Sequence, residues 1–352
     1  MKTTLSLLAG WLVITGMSAI AQPSNYPTIG QIIRADPRLD KLIPKEAKIE
    51  VLASGFIWSE GPIWVKPSSN RNGGNDPGNY LLFSDIPENT IFKWTEKEGI
   101  KLFLKPSGYT GVGSYGGEPG SNGLTIDRQG RLVACEHGDR RITAMPLDGS
   151  GGKRTLADNF NGKRFCSPND VVSHSNGSYY FTDPPYGMQK GENDPNRETE
   201  GYGVYRIAPE RNGVPGAVSL VVGDLTRPNG IALSPDEKTL YVAQSDPKNP
   251  VVMAYPLQND GSVSKGRILF GPDEMKKQGL AGGFDGMKVD RAGNLWVTGA
   301  NGVLVLTATG EFLGHITIGN ATANCAWGDD GSSLYITADM HLCRIKTTAK
   351  GW

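Results

Sequence analysis

Six polar side chains open similar short segments of the chain, and their oxygen atoms are the groups best suited to bind a cation. These residues are Glu60, Asn122, Asn169, Asn229, Asp285 and Asn324. Each opens a strand-like run of about four residues that leads through a polar turn into a second strand, as in RPNGIALSPDEKTLYVAQS from Arg227. The turn preference of Asn and Gly explains one such start on its own, but it does not explain two acids in the set.

Two of the six groups are carboxylates, Glu60 and Asp285. Carboxylates that face other oxygen groups in a narrow channel repel one another and lose solvation unless a cation compensates them. With the amide oxygens of Asn169 and Asn229 they form an all-oxygen donor set. Such a set suits calcium, which takes about six to eight oxygens, better than zinc, because the chain has no clustered His and Cys spacing.

The repeated segments predict the elements that bring these oxygens together. The chain has 352 residues with 47 Gly and 23 Pro, and successive copies start 39 to 62 residues apart. Irregularly spaced antiparallel units of this kind predict an all-β fold, a six-bladed β-propeller, whose innermost strands begin at one mouth of the central channel. The small residue after each polar start is expected to let a ligand approach the backbone.

The ends of the chain complete this organisation. Residues 1–21 have one lysine, an apolar run and Ala19-Ile20-Ala21, so we interpret them as a cleaved signal peptide that directs the protein to the periplasm or medium. A membrane anchor is the alternative, but the apolar run is shorter than the about 20 residues of a span. Residues 22–46 are expected to be an irregular lead-in with a helical turn around TIGQIIRAD. Residues 47–352 are predicted to form the propeller, with KIEVLASGF from Lys48 completing the last blade.

Charge, cysteine spacing and motif context argue against nucleic-acid binding, a disulfide framework and a dinucleotide site. Removal of residues 1–21 leaves 35 basic and 36 acidic side chains, so nothing attracts nucleic acid, and no later segment could span a membrane. The four cysteines form no CxxC pair, and buried free thiols are favoured over a disulfide. GVGSYG from Gly111 matches a dinucleotide motif, but a strand and not a helix follows it, so a loop at the mouth is predicted.

Four segments resemble a known family. SEGPIWV from Ser59, SPNDVV from Ser167, RPNGIALSPDEKTLYVAQS and FDGMKVDRAGNLWV from Phe284 are similar to the metal-site motifs of the gluconolactonase, senescence-marker-protein and luciferin-regenerating-enzyme family. The resemblance covers about residues 48–347 and implies a six-bladed propeller with one catalytic divalent metal, usually calcium. It implies Glu60, Asn169, Asn229 and Asp285 as the ligands. Phe284 stands where the family often has proline.

The expected reaction is metal-assisted hydrolysis of a sugar lactone by water, with Asp285 or Asp170 as the base. Candidate substrate-binding residues are Asn122, Arg164, Tyr186 and His137. The simpler alternatives are a solvated basic loop for Arg164, a structural proline turn for Tyr186 and a surface or packed histidine for His137. An organophosphate or other ester hydrolase on the same site and a non-catalytic binding propeller remain alternatives. The expected partner is a small-molecule lactone, and the protein is expected to be a monomer or a weak oligomer.

Overall fold

β-branched and aromatic runs between Gly, Asn and Asp turns fold into strands along most of the chain. The computed structural model describes residues 26–66 and 78–351, so the predicted signal peptide lies outside the described residues. Two strands precede the first blade. They are β1 (Gln31–Arg34) and β2 (Ile49–Ser54), separated by a 3-10 helix, Pro37–Lys41.

Six antiparallel sheets follow, and each of the first four blades is built from consecutive strands. Blade 1 contains β3 (Ser59–Val65), β4 (Tyr80–Asp85), β5 (Thr90–Thr95) and β6 (Gly99–Leu104). Blade 2 contains β7 (Ser121–Ile126), β8 (Arg131–Glu136), β9 (Arg141–Pro146) and β10 (Arg154–Ala157). A small hairpin, β11 (Asn159–Phe160) and β12 (Lys163–Arg164), leads to blade 3.

Blade 3 contains β13 (Val171–Ser173), β14 (Tyr179–Asp183), β15 (Gly203–Ile207) and β16 (Val218–Val222), with a 3-10 helix at Gly191–Asn193. Blade 4 contains β17 (Pro228–Leu233), β18 (Thr239–Gln244), β19 (Val251–Pro256) and β20 (Arg267–Phe270), and the short helix α1 (Pro272–Lys277) follows it. Blade 5 contains β21 (Phe284–Val289), β22 (Leu295–Gly299), β23 (Gly302–Leu306) and β24 (Phe312–Thr317).

Blade 6 combines the two ends of the chain. Its inner strands are β25 (Asn324–Gly328), β26 (Ser333–Ala338) and β27 (His341–Lys346), and β2 pairs antiparallel with β27 as the outermost strand. The innermost strands β3, β7, β13, β17, β21 and β25 contact one another in turn, and β25 contacts β3. The all-β six-bladed propeller is therefore confirmed.

The lead-in is more regular than its sequence indicated. The helical turn expected around TIGQIIRAD is wrong, because Gln31–Arg34 form β1 and extend blade 5 by pairing with β24. Ile32 and Ile33 favour extended backbone, and the outer edge of β24 offers unpaired hydrogen-bonding groups. The helical turn begins only after Asp36, whose Oδ1 accepts a hydrogen bond from the Arg38 backbone N–H at 2.8 Å.

The hydrophobic core lies between neighbouring blades. Trp296 and Val303 of blade 5 pack with Leu334 and Ile336 of blade 6, and Leu82 of blade 1 belongs to a cluster shared with blade 2. All four cysteines are free and buried, as expected. Burial raises the pKa of Cys166, Cys325 and Cys343 to about 12, so these thiols stay protonated. No helix in the described residues has the length and apolarity of a membrane span.

The small residues of the repeated motifs face the next blade. A Cβ atom on Gly123 would lie 2.6 Å from the Asn169 carbonyl oxygen, and one on Gly230 would lie 2.2 Å from that of Asp285. Gly123 also donates its N–H to the Asn169 carbonyl at 2.7 Å. The expectation that these residues admit a ligand to the backbone is therefore wrong. They allow adjacent inner strands to approach each other.

Candidate metal and substrate site on the propeller axis

Irregular starts of the inner strands direct the polar side chains toward the axis. The pairing of β3 with β4 shifts register after Glu60, and β17 and β18 shift between Pro228 and Ile231, on either side of Asn229. Corresponding shifts occur near Asn122 in blade 2 and near Asp285 in blade 5. Bulges of this kind redirect a side chain that regular pleating would send elsewhere.

These side chains meet in one small cavity of about 190 Å³, which we call the axial cavity. It contains the four proposed metal ligands from four blades together with Asn122 and Tyr186. Its lining residues are Trp58, Glu60, Glu118, Asn122, Asn169, Tyr186, Asn229, Ser245 and Asp285. The volume is below the about 300–1,000 Å³ of pockets that hold drug-sized ligands, so it suits one small ring.

The axial oxygens lack protein partners. The Oδ1 atoms of Asn122, Asn169, Asn229 and Asp285 are buried and accept no hydrogen bond from residues 26–66 or 78–351. Buried polar atoms are normally satisfied, so four unpartnered oxygens around one cavity indicate a ligand that supplies the missing partner. A hard cation fits oxygens from carboxylate and amide groups. Within the described ranges no group of three or more His, Cys, Asp or Glu is placed to hold a metal, so the amides are essential to such a site.

The acids of this region carry an electrostatic cost. Burial and the nearby charge of Asp170 raise the pKa of Glu60 to about 8. The hydrogen bond that the Gly61 N–H donates to the Glu60 carboxylate lowers this pKa and only partly offsets the rise. Burial raises the pKa of Asp285 well above its usual value, with further contributions from the charges of Glu60, Asp170 and Glu118. A divalent cation between Glu60 and Asp285 would remove this repulsion.

Asp170 lies behind the axial cavity and does not line it. Its Oδ1 accepts from the Val171 N–H at 2.9 Å, and its Oδ2 lies 3.5 Å from Asn324 Nδ2. Burial raises its pKa, and the Lys288 ammonium opposes that rise. Asn324, the opening residue of the sixth copy, also faces Lys288, with 3.3 Å between its Oδ1 and the ammonium nitrogen. Asp170, Asn324 and Lys288 therefore form a support under the proposed ligands.

A second support orients Asn122. His137 is fully buried, and its Nε2 lies 3.3 Å from Asn122 Nδ2. The amide nitrogen can only donate, so in this orientation it donates to Nε2. Nδ1 lies 3.3 Å from Glu118 Oε2. This arrangement leaves the Asn122 amide oxygen for the axial cavity.

Tyr186 forms the wall on the side of blade 4. Its hydroxyl hydrogen-bonds Ser245 Oγ, and Asn229 Nδ2 donates to the same Ser245 oxygen at 3.5 Å. The Asn229 amide is therefore turned so that its oxygen is free. Burial raises the pKa of Tyr186, so its hydroxyl stays protonated and remains a donor.

Arg164 lies away from the axial cavity. It lines a separate cavity of about 500 Å³, which we call the mouth cavity, together with Tyr109, Tyr115 and Arg140. Its guanidinium donates to the Asp139 carbonyl at 2.8 Å, and its backbone N–H donates to Glu198. The structure thus places Arg164 in the neighbouring cavity and His137 beside the axial cavity. The predicted residues that it brings together in the axial cavity are Glu60, Asn122, Asn169, Asn229, Asp285 and Tyr186.

Sequence reasoning missed Trp58, Glu118 and Ser245. Ser245 follows the second strand of its copy, as His137 does in blade 2, so its position was a usable signal. The second strand runs back toward the mouth, so the residue that follows it lies close to the cavity. Glu118 comes from the glycine-rich loop before β7, and no pattern in that loop indicates which residue faces inward.

Comparison with known proteins identifies the family of this chain. The family described as the SMP-30/Gluconolactonase/LRE-like region matches residues 58–339. A gluconolactonase of Zymomonas mobilis is 39% identical over 346 residues, which cover 96% of this chain and 92% of that protein.

Two solved structures share the fold. A gluconolactonase from Xanthomonas campestris is 28% identical with a TM-score of 0.74, covering 93% of this chain and 99% of the other. Regucalcin from Agrobacterium tumefaciens, described as a calcium-binding protein, has a TM-score of 0.62 at 18% identity, covering 86% and 94% of the two chains, and shows the fold alone. With its four axial motifs and its family match, this chain belongs to the SMP-30/gluconolactonase/LRE-like family.

Proposed function

We propose that this protein hydrolyses the ester of a sugar lactone to the aldonic acid at a calcium site on the propeller axis. Its relatives named gluconolactonase support an ester hydrolase that acts on lactones. The observation that carries the proposal is the group of unpartnered buried oxygens on Asn169, Asn229 and Asp285 beside the Glu60 carboxylate. Calcium is proposed from this donor chemistry, and a fold neighbour described as calcium-binding agrees with it.

Glu60, Asn169, Asn229 and Asp285 would hold the cation. Bound there, a divalent cation would supply Lewis-acid polarisation of the ester carbonyl and would offset the negative charge that develops on the carbonyl oxygen. Water is the nucleophile. Asp285 takes its proton, because its carboxylate faces the cavity, and the proton is then returned to the ring oxygen as the ring C–O bond breaks.

The other residues position the substrate and the base. The Asn122 amide oxygen, turned inward by His137, accepts a hydrogen bond from a ring hydroxyl. The Tyr186 hydroxyl lines the opposite wall, where it can meet another hydroxyl. We propose that Asp170 supports this arrangement and does not transfer the proton, since both its oxygens already accept hydrogen bonds.

A pH-stat assay tests the reaction, because ring opening releases acid. Calcium-loaded protein should open glucono-1,5-lactone, and EDTA should stop it. We expect kcat/KM for the sugar lactone to exceed that for a phosphotriester by at least about tenfold, since an apolar ester leaves the polar walls unpaired. A panel of aldonolactones that hydrolyse only at their spontaneous rate would contradict the proposal.

We also propose that the protein is exported and works without an essential partner chain. The small-residue site Ala19-Ile20-Ala21 predicts a mature chain that begins at Gln22. The intact mass of protein recovered from the periplasm or medium checks this, and retention of Met1 in exported protein would contradict it.

A further inference from the structure

The mouth cavity adjoins the axial cavity along two stretches of chain that line both. Tyr115 lines the mouth cavity and Glu118 the axial cavity, and both belong to the loop before β7. Similarly, Met188 lines the mouth cavity and Tyr186 the axial cavity. Between them, the Gly187 carbonyl accepts a hydrogen bond from the Tyr115 hydroxyl at 2.6 Å. A ligand with one ring in the axial cavity can therefore extend into the mouth cavity beside it.

Aromatic rings form one wall of the mouth cavity. The rings of Tyr109 and Tyr115 have their centroids 4.8 Å apart and meet at 47°. Aromatic faces with hydroxyl groups at their edges combine an apolar platform with polar contacts. The apolar face of a sugar ring matches such a platform.

A buried guanidinium supplies an unused donor. The Arg140 side chain is 9% exposed and is fixed by donation from Nε to the Phe165 carbonyl at 2.6 Å. Its Nη2 finds no partner among the described residues. A buried donor without a partner indicates a ligand with an acceptor atom, because leaving it unpaired costs free energy.

The charges around the cavity favour a neutral ligand. Arg140 and Arg164 are balanced by Asp194 and Glu198 on the same walls. Arg140 Nη1 lies 3.8 Å from a Glu198 oxygen, so the pair is already partly compensated. Hydroxyl groups, which both donate and accept, suit this mixture better than an anion does.

We propose that the mouth cavity is a subsite for a second sugar ring linked to the lactone ring, so that aldobionolactones are substrates. This inference rests on the proposed lactone hydrolysis. The axial cavity of about 190 Å³ admits one small ring, and the mouth cavity of about 500 Å³ has the size of a pocket for a larger ligand. Water adds to the lactone carbonyl and the ring ester bond breaks, while the glycosidic bond remains intact. The reaction that supplies such a substrate is the oxidation of a reducing disaccharide at its anomeric carbon.

The test compares cellobiono-1,5-lactone with glucono-1,5-lactone in the pH-stat. Wild-type kcat/KM should be at least about fivefold higher for the disaccharide lactone, mainly through a lower KM. Arg140→Met and Tyr109→Ala should bring the ratio of the two kcat/KM values close to one. Lys163→Met is the matched control, since Lys163 lies beside Arg164 on the same hairpin but outside this cavity, and it should keep the wild-type ratio.

Calorimetric titration with the product cellobionate provides a second measurement that does not depend on turnover. Wild type should bind cellobionate more tightly than gluconate, and Arg140→Met should lose this difference while retaining the melting temperature of a folded protein. Equal wild-type values for both lactones and both products would overturn the subsite. Failure to hydrolyse either lactone would instead overturn the proposed function, and the cellobionate titration would still decide the subsite.

Discussion

At the scale of single residues, the site depends on amide side chains whose orientation is fixed by hydrogen bonds to neighbouring residues. Asn229 is turned by Ser245, and Asn122 is turned by His137. An amide can present either oxygen or nitrogen, so these contacts decide which atom faces the cavity. The repeated motifs indicate these amides as candidate ligands, but the contacts that orient them come from distant segments.

Glu60→Gln tests the proposed calcium ligands at this scale. The change keeps the shape and one oxygen but removes a charge, so we expect calcium to bind about 10–100-fold more weakly. Isothermal titration with calcium measures this directly. Glu200→Gln, at an exposed surface position, is the control and should bind calcium as wild type does. Unchanged affinity in Glu60→Gln would exclude Glu60 as a ligand.

His137→Phe tests the orientation of Asn122. Loss of the acceptor nitrogen frees the amide to turn, so kcat/KM for gluconolactone should fall about tenfold, while calcium affinity stays unchanged. His137→Gln restores an acceptor oxygen and should recover part of the loss. If both variants weaken calcium binding, Asn122 or His137 acts on the metal and not on the substrate.

At the scale of elements, the inner strands determine the site through their backbone. Each polar start is followed by a small residue or by an acid that contacts the next blade, as Gly123 contacts Asn169. The repeated Asn-Gly pairs therefore combine two roles. The polar side chain faces the axis, and the glycine sets the distance to the neighbouring strand.

Gly230→Ala should destabilise the protein by about 2 kcal/mol or more, because the new Cβ would lie 2.2 Å from the Asp285 carbonyl oxygen. Urea unfolding measures the loss. Gly152→Ala places its Cβ in open space and should change the free energy of unfolding by less than about 0.5 kcal/mol. A neutral Gly230→Ala would show that the blades can separate without cost.

Elements that depend on local residue patterns are predictable from the sequence, and those that depend on contacts with distant segments are not. Strand patterns and turn residues identified the inner strands of all six copies, because these signals are local. The pattern around Gln31–Arg34 predicts a helical turn, and only the position of β24 in space makes this segment an edge strand of blade 5. Glu118 and Trp58 were missed for the same reason. Their place in the axial cavity depends on how loops fold over the mouth, and residue spacing does not encode that.

At the scale of the whole molecule, residues from both ends of the chain form blade 6. Ile49 of β2 is 2% exposed and packs in the core shared by blades 5 and 6. Ile49→Asp should therefore lower the melting temperature by about 5–10 °C, as expected for a charge placed in a core. Ile33→Asp on β1 is the matched control, because Ile33 is 45% exposed, and it should cause little change. Differential scanning calorimetry checks both variants.

The direction of the inner strands places the axial cavity on one face of the molecule and the turns that follow these strands on the opposite face. β7 starts at the axial cavity and ends about 17 Å away, so the exposed turn that contains Gln129 lies on the opposite face. All four native thiols are buried, so Gln129→Cys would provide a single reactive sulfur. Attachment through that sulfur would fix the enzyme to a resin or electrode in one orientation, with the substrate entrance directed toward the solution.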